Sequence, residues 1–236
     1  MSKLVCAVAL AGVAWTGVAT AQEFRGAEVS AEVLSYTDDG DIAQTTYQGS
    51  LEFGVFGGFG VAADLSFYNF GDDDKVHDGT LHLLYDAMAL ATVGGFYSHE
   101  SYDDGSTDSF GVEAGRNMGA AGIEGYLGLA DDDGSDYRFA GLDATYDVTR
   151  NISVLGAAAL IDGDEVGSSR LSIGGEYRFG DGPAVYAQVG RINVDYDGAP
   201  EDLSETFIGI GARIAIGPNK GTAFGSRGLS EALSGF

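Results

Sequence analysis

The stretch 44-QTTYQGSLEF-53 decides the fold. In an extended chain successive side chains point to opposite faces. Thr45, Tyr47, Gly49, Leu51 and Phe53 therefore share one face, and Gln44, Thr46, Gln48, Ser50 and Glu52 share the other. The pattern returns at 170-RLSIGGEYRF-179, where Leu171, Ile173, Gly175, Tyr177 and Phe179 alternate with Arg170, Ser172, Gly174, Glu176 and Arg178. It returns again near the end, where Ile208, Ile210, Ala212, Ile214 and Ile216 oppose Gly209, Gly211 and Arg213. Strands that are apolar outside and polar inside suit a membrane barrel, the inverse of a soluble protein.

Working outward, the period-two template draws twelve strands at about 26–36, 43–53, 60–70, 79–88, 90–99, 109–117, 121–130, 137–147, 151–161, 169–179, 184–195 and 205–216. Most reach the roughly 9 to 11 residues that a tilted spanning strand needs. The alternation is poor in the fifth, ninth and eleventh strands, which predicts a bulge or register change there. Six acidic clusters punctuate the chain: Asp38 to Asp41, Asp72 to Asp78, Glu100 to Asp108, Asp131 to Asp136, Asp162 to Glu165 and Asp195 to Glu205. They hold 23 of the 36 acidic residues and one basic residue, Lys75. Connections after even strands, such as 147–151 and 180–183, are short and rich in turn-forming residues. In an up-and-down order every second connection lies at the same end, so the acid collects at one rim. The fold class predicted is all-β, a closed antiparallel transmembrane β-barrel of about twelve strands, with ten or fourteen as the nearest alternatives.

Lys3, the apolar run Leu4 to Val18 and Ala19-Thr20-Ala21 read as a secretory signal peptide over 1–21. The barrel is then expected over 22–216, with a periplasmic or lumenal tail over 217–236. Cleavage after Ala21 would remove the only Cys and the only Trp and leave 215 residues with no disulfide to form. No later segment approaches the roughly 20 apolar residues of a spanning helix, so insertion must be by strands. Twelve Lys and Arg against 36 Asp and Glu exclude a nucleic-acid partner, which would require basic groups at its phosphates. In the tail, Leu229, Ala232, Leu233 and Phe236 fall on one helical face, and so short a helix needs something to pack on.

Aromatic residues crowd towards strand ends, among them Tyr36, Phe53, Phe67, Phe70, Tyr97, Tyr137, Phe139, Tyr146, Tyr177, Phe179 and Tyr196, as interfacial girdles do. Over about residues 26 to 216, in leader, strand rhythm and loop asymmetry, the chain resembles the outer-membrane β-barrel superfamily of Gram-negative bacteria. It is more loosely similar to the small porin-like barrels of that class. The resemblance implies the outer membrane as location, with membrane lipid and lipopolysaccharide as partners. In that class the last strand commonly ends the chain with an aromatic residue, whereas here twenty residues follow Ile216 and end at Phe236.

The inward face gathers Glu28, Glu32, Glu52, Asp64, Asp86, Glu113, Glu124, Asp143 and Glu176, with Arg170, Arg178 and Arg213. These twelve are the candidate pore-lining residues, and their excess of carboxylates predicts a porin-like channel for small solutes or ions with weak cation preference. The alternative is a closed structural or adhesive barrel, whose lumen is filled by side chains and whose acidic loops meet metal ions or lipopolysaccharide. Asn193, Asp195 and Asp197, followed by Gly198, match the first half of a calcium loop; Ser204 stands where a bidentate Glu belongs, next to Glu205. No resident cofactor is expected beyond weak Ca²⁺ or Mg²⁺ at the acidic loops. His77 and His99 near the acidic rim would permit water activation, but no Gly-x-Ser-x-Gly or His-Glu-x-x-His motif accompanies them. The expectation is a protein that is not an enzyme.

Overall fold

The computed structural model describes residues 23–37, 42–70, 75–87, 91–132, 134–164, 166–180, 182–196 and 203–233. The expected leader and most of the acidic loop tips lie outside the described residues. Twelve strands follow one another: β1 (Glu23–Tyr36), β2 (Ile42–Phe56), β3 (Phe59–Asn69), β4 (Lys75–Asp86), β5 (Thr92–Tyr102), β6 (Gly105–Met118), β7 (Ala121–Asp132), β8 (Ser135–Asp147), β9 (Ile152–Gly163), β10 (Val166–Arg178), β11 (Ala184–Tyr196) and β12 (Leu203–Ile216). Each pairs with its sequence neighbours, and β1 meets β12 in an antiparallel ladder from Ala27↔Ile216 to Tyr36↔Phe207. The barrel is therefore closed and has no free edge. One short helix, α1 (Leu229–Leu233), lies in the tail that follows.

Side-chain exposure follows the alternation. On β10, Leu171 is 67% exposed while Arg170 and Ser172 beside it are 5% and 4% exposed. Exposed leucines, isoleucines and valines continue round the wall, including Leu65, Leu81, Leu83, Val112, Leu127, Leu160 and Ile210. An apolar belt of this extent on a soluble monomer would be an aggregation surface; on a barrel it is the lipid face. At the short-turn end outward rings meet in small sets: Phe24–Phe53 at 5.8 Å, Phe56–Phe59 at 5.5 Å, Phe59–Tyr85 at 4.9 Å and Tyr177–Phe179 at 5.0 Å.

Two expectations are corrected. The fifth, ninth and eleventh strands run without register shifts. The irregularities fall on β1 and β2 instead, between Phe24 and Gly26, between Leu34 and Ser35, and between Gly54 and Phe56. Glycine and alanine had blurred the pattern in β5, β9 and β11 without altering the ladder. Second, Tyr36, Tyr137 and Phe139 belong to no girdle. Tyr137 and Phe139 pack with Phe96, Tyr126, Ala130, Ala159 and Ile161, and Tyr36 with Leu34, Ile192 and Phe207. The lumen accepts such rings because glycines on neighbouring strands leave room. A Cβ at Gly141 would lie 2.2 Å from the Tyr126 ring, and one at Gly190 2.3 Å from Phe207.

Candidate functional site

After Ile216 the chain turns back into the barrel. Gly217 (φ 94°) and Gly221 (φ 121°) take left-handed conformations that suit glycine, and Asn219 N–H donates to the Arg25 carbonyl at 2.9 Å. Residues 222–233 then climb the lumen, and the wall's polar groups receive them one after another. Thr222 donates to Ser50 Oγ at 3.2 Å, and the Ala223 N–H to Glu52 Oε2 at 2.6 Å. Phe224, 1% exposed, packs with Ala62 and Leu84, and its ring lies 6.4 Å from that of His82. The Ser226 hydroxyl donates to Asp78, which also accepts from Ser98.

Arg227 is the centre of the arrangement. Its Nε donates to Glu113 Oε2 at 3.0 Å and its Nη2 to Glu124 Oε1 at 3.1 Å, while its guanidinium lies 4.4 Å from the centre of the Tyr126 ring. Burial alone would lower its pKa; Glu124 and Glu113 outweigh that and hold it above the ordinary arginine value. After Gly228 the chain enters α1, and the N–H groups of Leu229 and Ser230 donate to the two oxygens of Glu100 at 2.8 and 2.9 Å. A carboxylate on β5 thus caps a helix on the tail, supplying the acceptors that a helix start lacks. Ala232 and Leu229 complete the apolar cluster of Phe96, Tyr126 and Phe139. Glu231 accepts from Gln48 Nε2 at 2.6 Å and Tyr68 Oη at 2.7 Å. Burial pushes its pKa up to about 7 against the opposing pull of the Tyr68 hydrogen bond, Arg227 and Arg170.

The twelve candidate pore-lining residues all project into the lumen. Glu52, Glu113 and Glu124 hold the tail. Asp64 lies 2.8 Å from His82 Nε2, whose Nδ1 is 2.7 Å from Glu113, so β3, β4, β6 and the tail share one buried network. Near the short turns, Arg213 joins Glu176 and Glu28, the latter at 4.0 Å, and Arg178 reaches Glu176 at 2.9 Å. Arg25 spans Glu52 and Asp86 at 3.2 and 2.9 Å. Higher up, Gln188 donates to Glu32 and accepts from Arg170, which lies over Phe207. Arg178 and Arg213 are thus held by Glu176 on their own wall rather than facing the carboxylates across the lumen. Asp143 borders a cavity of about 710 Å³ that reaches turn residues Gly119, Ala120 and Gly182, with Ser30, Thr145 and Arg213 also on its walls.

Sequence reading missed Arg25, Arg227 and Glu231, and placed Asp78 and Glu100 with the acidic rim although both side chains are buried inside. A signal existed: nine inward carboxylates against three arginines left the lumen short of positive charge, and the tail carries a lone arginine among small residues. Asn193 and Asp195 lie within β11; Asn193 accepts from Ser204 at 2.7 Å, and Asp197 lies outside the described residues. Among the described residues no group of three or more His, Cys, Asp or Glu side chains is placed to hold a metal. His99 is exposed on the outer wall, 2.8 Å from Asp108, and His77 packs edge-on against Phe67.

The fold is that of known outer-membrane barrels. The KdgM porin superposes with a TM-score of 0.57 at 9% identity, covering 79% of this chain and 98% of that one. The NanC porin gives 0.59 at 10% identity over 80% and 98%, and an outer membrane channel from Pseudomonas putida F1 gives 0.56 at 11% over 82% and 96%. No protein-family model and no curated protein matches the sequence. The chain has the fold of a small outer-membrane β-barrel. Its apolar belt and the aromatic rings at the belt's edge are what a barrel wall facing lipid requires.

Proposed function

We propose that this barrel is a porin-like channel that passes small solutes or ions passively, with a modest preference for cations. The observation that carries this is the lumen itself: a closed wall of polar side chains around a cavity of about 710 Å³ that reaches one mouth. Six carboxylates and five cationic side chains border that cavity, a small acidic excess that supports a modest draw on cations. The fold shared with two porins and an outer membrane channel supports a conducting, non-enzymatic role. The filled half of the lumen near the acidic rim favours the second reading, a closed structural barrel whose acidic loops meet metal ions or lipopolysaccharide.

Reversal potentials in a salt gradient separate these readings. The channel should favour cations, and Asp143→Asn should reduce the preference more than Asp132→Asn, because Asp143 borders the cavity while Asp132 sits near the rim. Rim charges farther than about 8 to 10 Å from the ion path are screened at near-physiological salt. A preference for chloride would refute the selectivity, and a complete lack of current would favour the closed barrel.

A further inference from the structure

We propose that residues 217–233 are a self-supplied plug: seated as observed they close the lumen, and their withdrawal towards the short-turn mouth opens it. The inference rests on the channel reading above. Three features carry it.

First, the tail is no part of the barrel's closure, since the β1–β12 ladder is complete at Ile216 before the tail begins. Second, polar groups hold it along its length, between the apolar contacts of Phe224 and α1. Glu52, Asp78, Glu100, Glu113 and Glu124 come from five different strands, and each accepts a hydrogen bond from the tail. A passive filler would require only apolar packing. A row of charged acceptors instead fixes one position, and each acceptor can exchange its tail partner for water when the segment leaves. Third, the void lies on the entry side. The cavity runs beside the tail from Asn219 to Arg227, touches Glu231 and extends to the short turns, while the apolar cluster that includes Ala232 and Leu229 fills space at the other end. Among the described residues, the way out is wide and the far half is filled.

Arg227 is the latch. It is 3% exposed and holds two carboxylates from adjacent strands. Replacing it with a neutral group leaves Glu113 and Glu124 facing the lumen without that cation, which penalises the seated state and not the withdrawn one.

The test uses the refolded chain from Gln22 to Phe236, without the expected leader, in planar bilayers together with a chemical report of the tail's position. Ser226 is buried, and the only natural cysteine, Cys6, lies in the N-terminal segment expected to be cleaved. A Ser226→Cys variant therefore reacts with a bulky water-soluble maleimide only when the tail has left. Thr222 and Ser50, whose hydroxyls are 3.2 Å apart, serve as a lock through the pair Thr222→Cys and Ser50→Cys. Arg227→Gln should raise both the labelling rate and the open probability at least about tenfold. Oxidising the cysteine pair should suppress openings, and reductant should restore them. Equal currents from the oxidised and reduced pair, or full current while the introduced thiol stays protected, would overturn the plug and leave the channel reading intact. Fast labelling in a membrane that never conducts would overturn the channel reading, and the plug's gating role with it.

Discussion

At Gly26 the lack of a side chain decides whether the tail can enter. A Cβ there would lie 1.8 Å from the Gly221 carbonyl oxygen, so backbone must shift if one is added. Gly26→Ala should leave the barrel assembled while loosening the tail, at a cost in the range of overpacking, about 1 to 3 kcal/mol. Faster maleimide labelling of a Ser226→Cys background is the expected readout, and unchanged protection would show that the crossing is not tight. The two faces of a strand can be tested in the same way. Ile173→Arg puts a charge on the lipid face, at about 2 to 4 kcal/mol near the midplane, and should impair assembly measured by the folded fraction on refolding. Thr145→Arg faces the cavity and should be tolerated. On the clearly alternating strands the face a residue takes was legible from period two, whereas Tyr36, Tyr137 and Phe139, read by their position as girdle rings, pack in the lumen. Which partner it meets was not: Asp78 and Glu100 read as members of acidic loops, yet strand parity and the returning tail bury both.

Among the elements, strands and tail differ in how they are encoded. Nine strands carry a clear alternation of their own, and the turns between them place β5, β9 and β11, whose pattern glycine and alanine blur, in the same antiparallel order. The tail has no such period. Its path is set by hydrogen bonds to residues more than a hundred positions away, and nothing local marks them. Only the apolar spacing around Leu229 and Ala232 announced the short helix, and that both residues would pack inside the barrel was one of two open possibilities. Glu231 makes docking of this element pH-dependent. Facing it are Gln48 from β2, Tyr68 from β3, Asp143 from β8, Arg170 from β10 and Arg227 from the tail itself, with Tyr126 and Tyr186 nearby. Its pKa rises from 4.5 to about 7 on docking. A carboxyl whose docked pKa is raised favours docking most below its free value and loses that contribution as pH climbs through the docked one. Tail protection should therefore weaken between about pH 4.5 and 7, by up to about tenfold per pH unit, and Glu231→Gln should flatten that slope. Labelling rates across this range check it; a rate that falls as pH rises would reverse the assignment.

For the molecule as a whole, closure between β1 and β12 leaves no edge from which unfolding can start. The folded protein should resist detergent until boiled, and its electrophoretic mobility should change on heating; identical migration of boiled and unboiled samples would contradict a closed barrel. The architecture was legible because loop asymmetry and strand rhythm are global patterns. The state of the lumen was not, because it depends on where one tail goes. A bilayer recording of the same refolded chain beside its Arg227→Gln variant tests the combined account most directly. Infrequent unitary steps from the unsubstituted chain, frequent ones from the variant and a cation-favouring reversal potential are the predicted result. A membrane that stays silent with both proteins, once their insertion is verified, would contradict it.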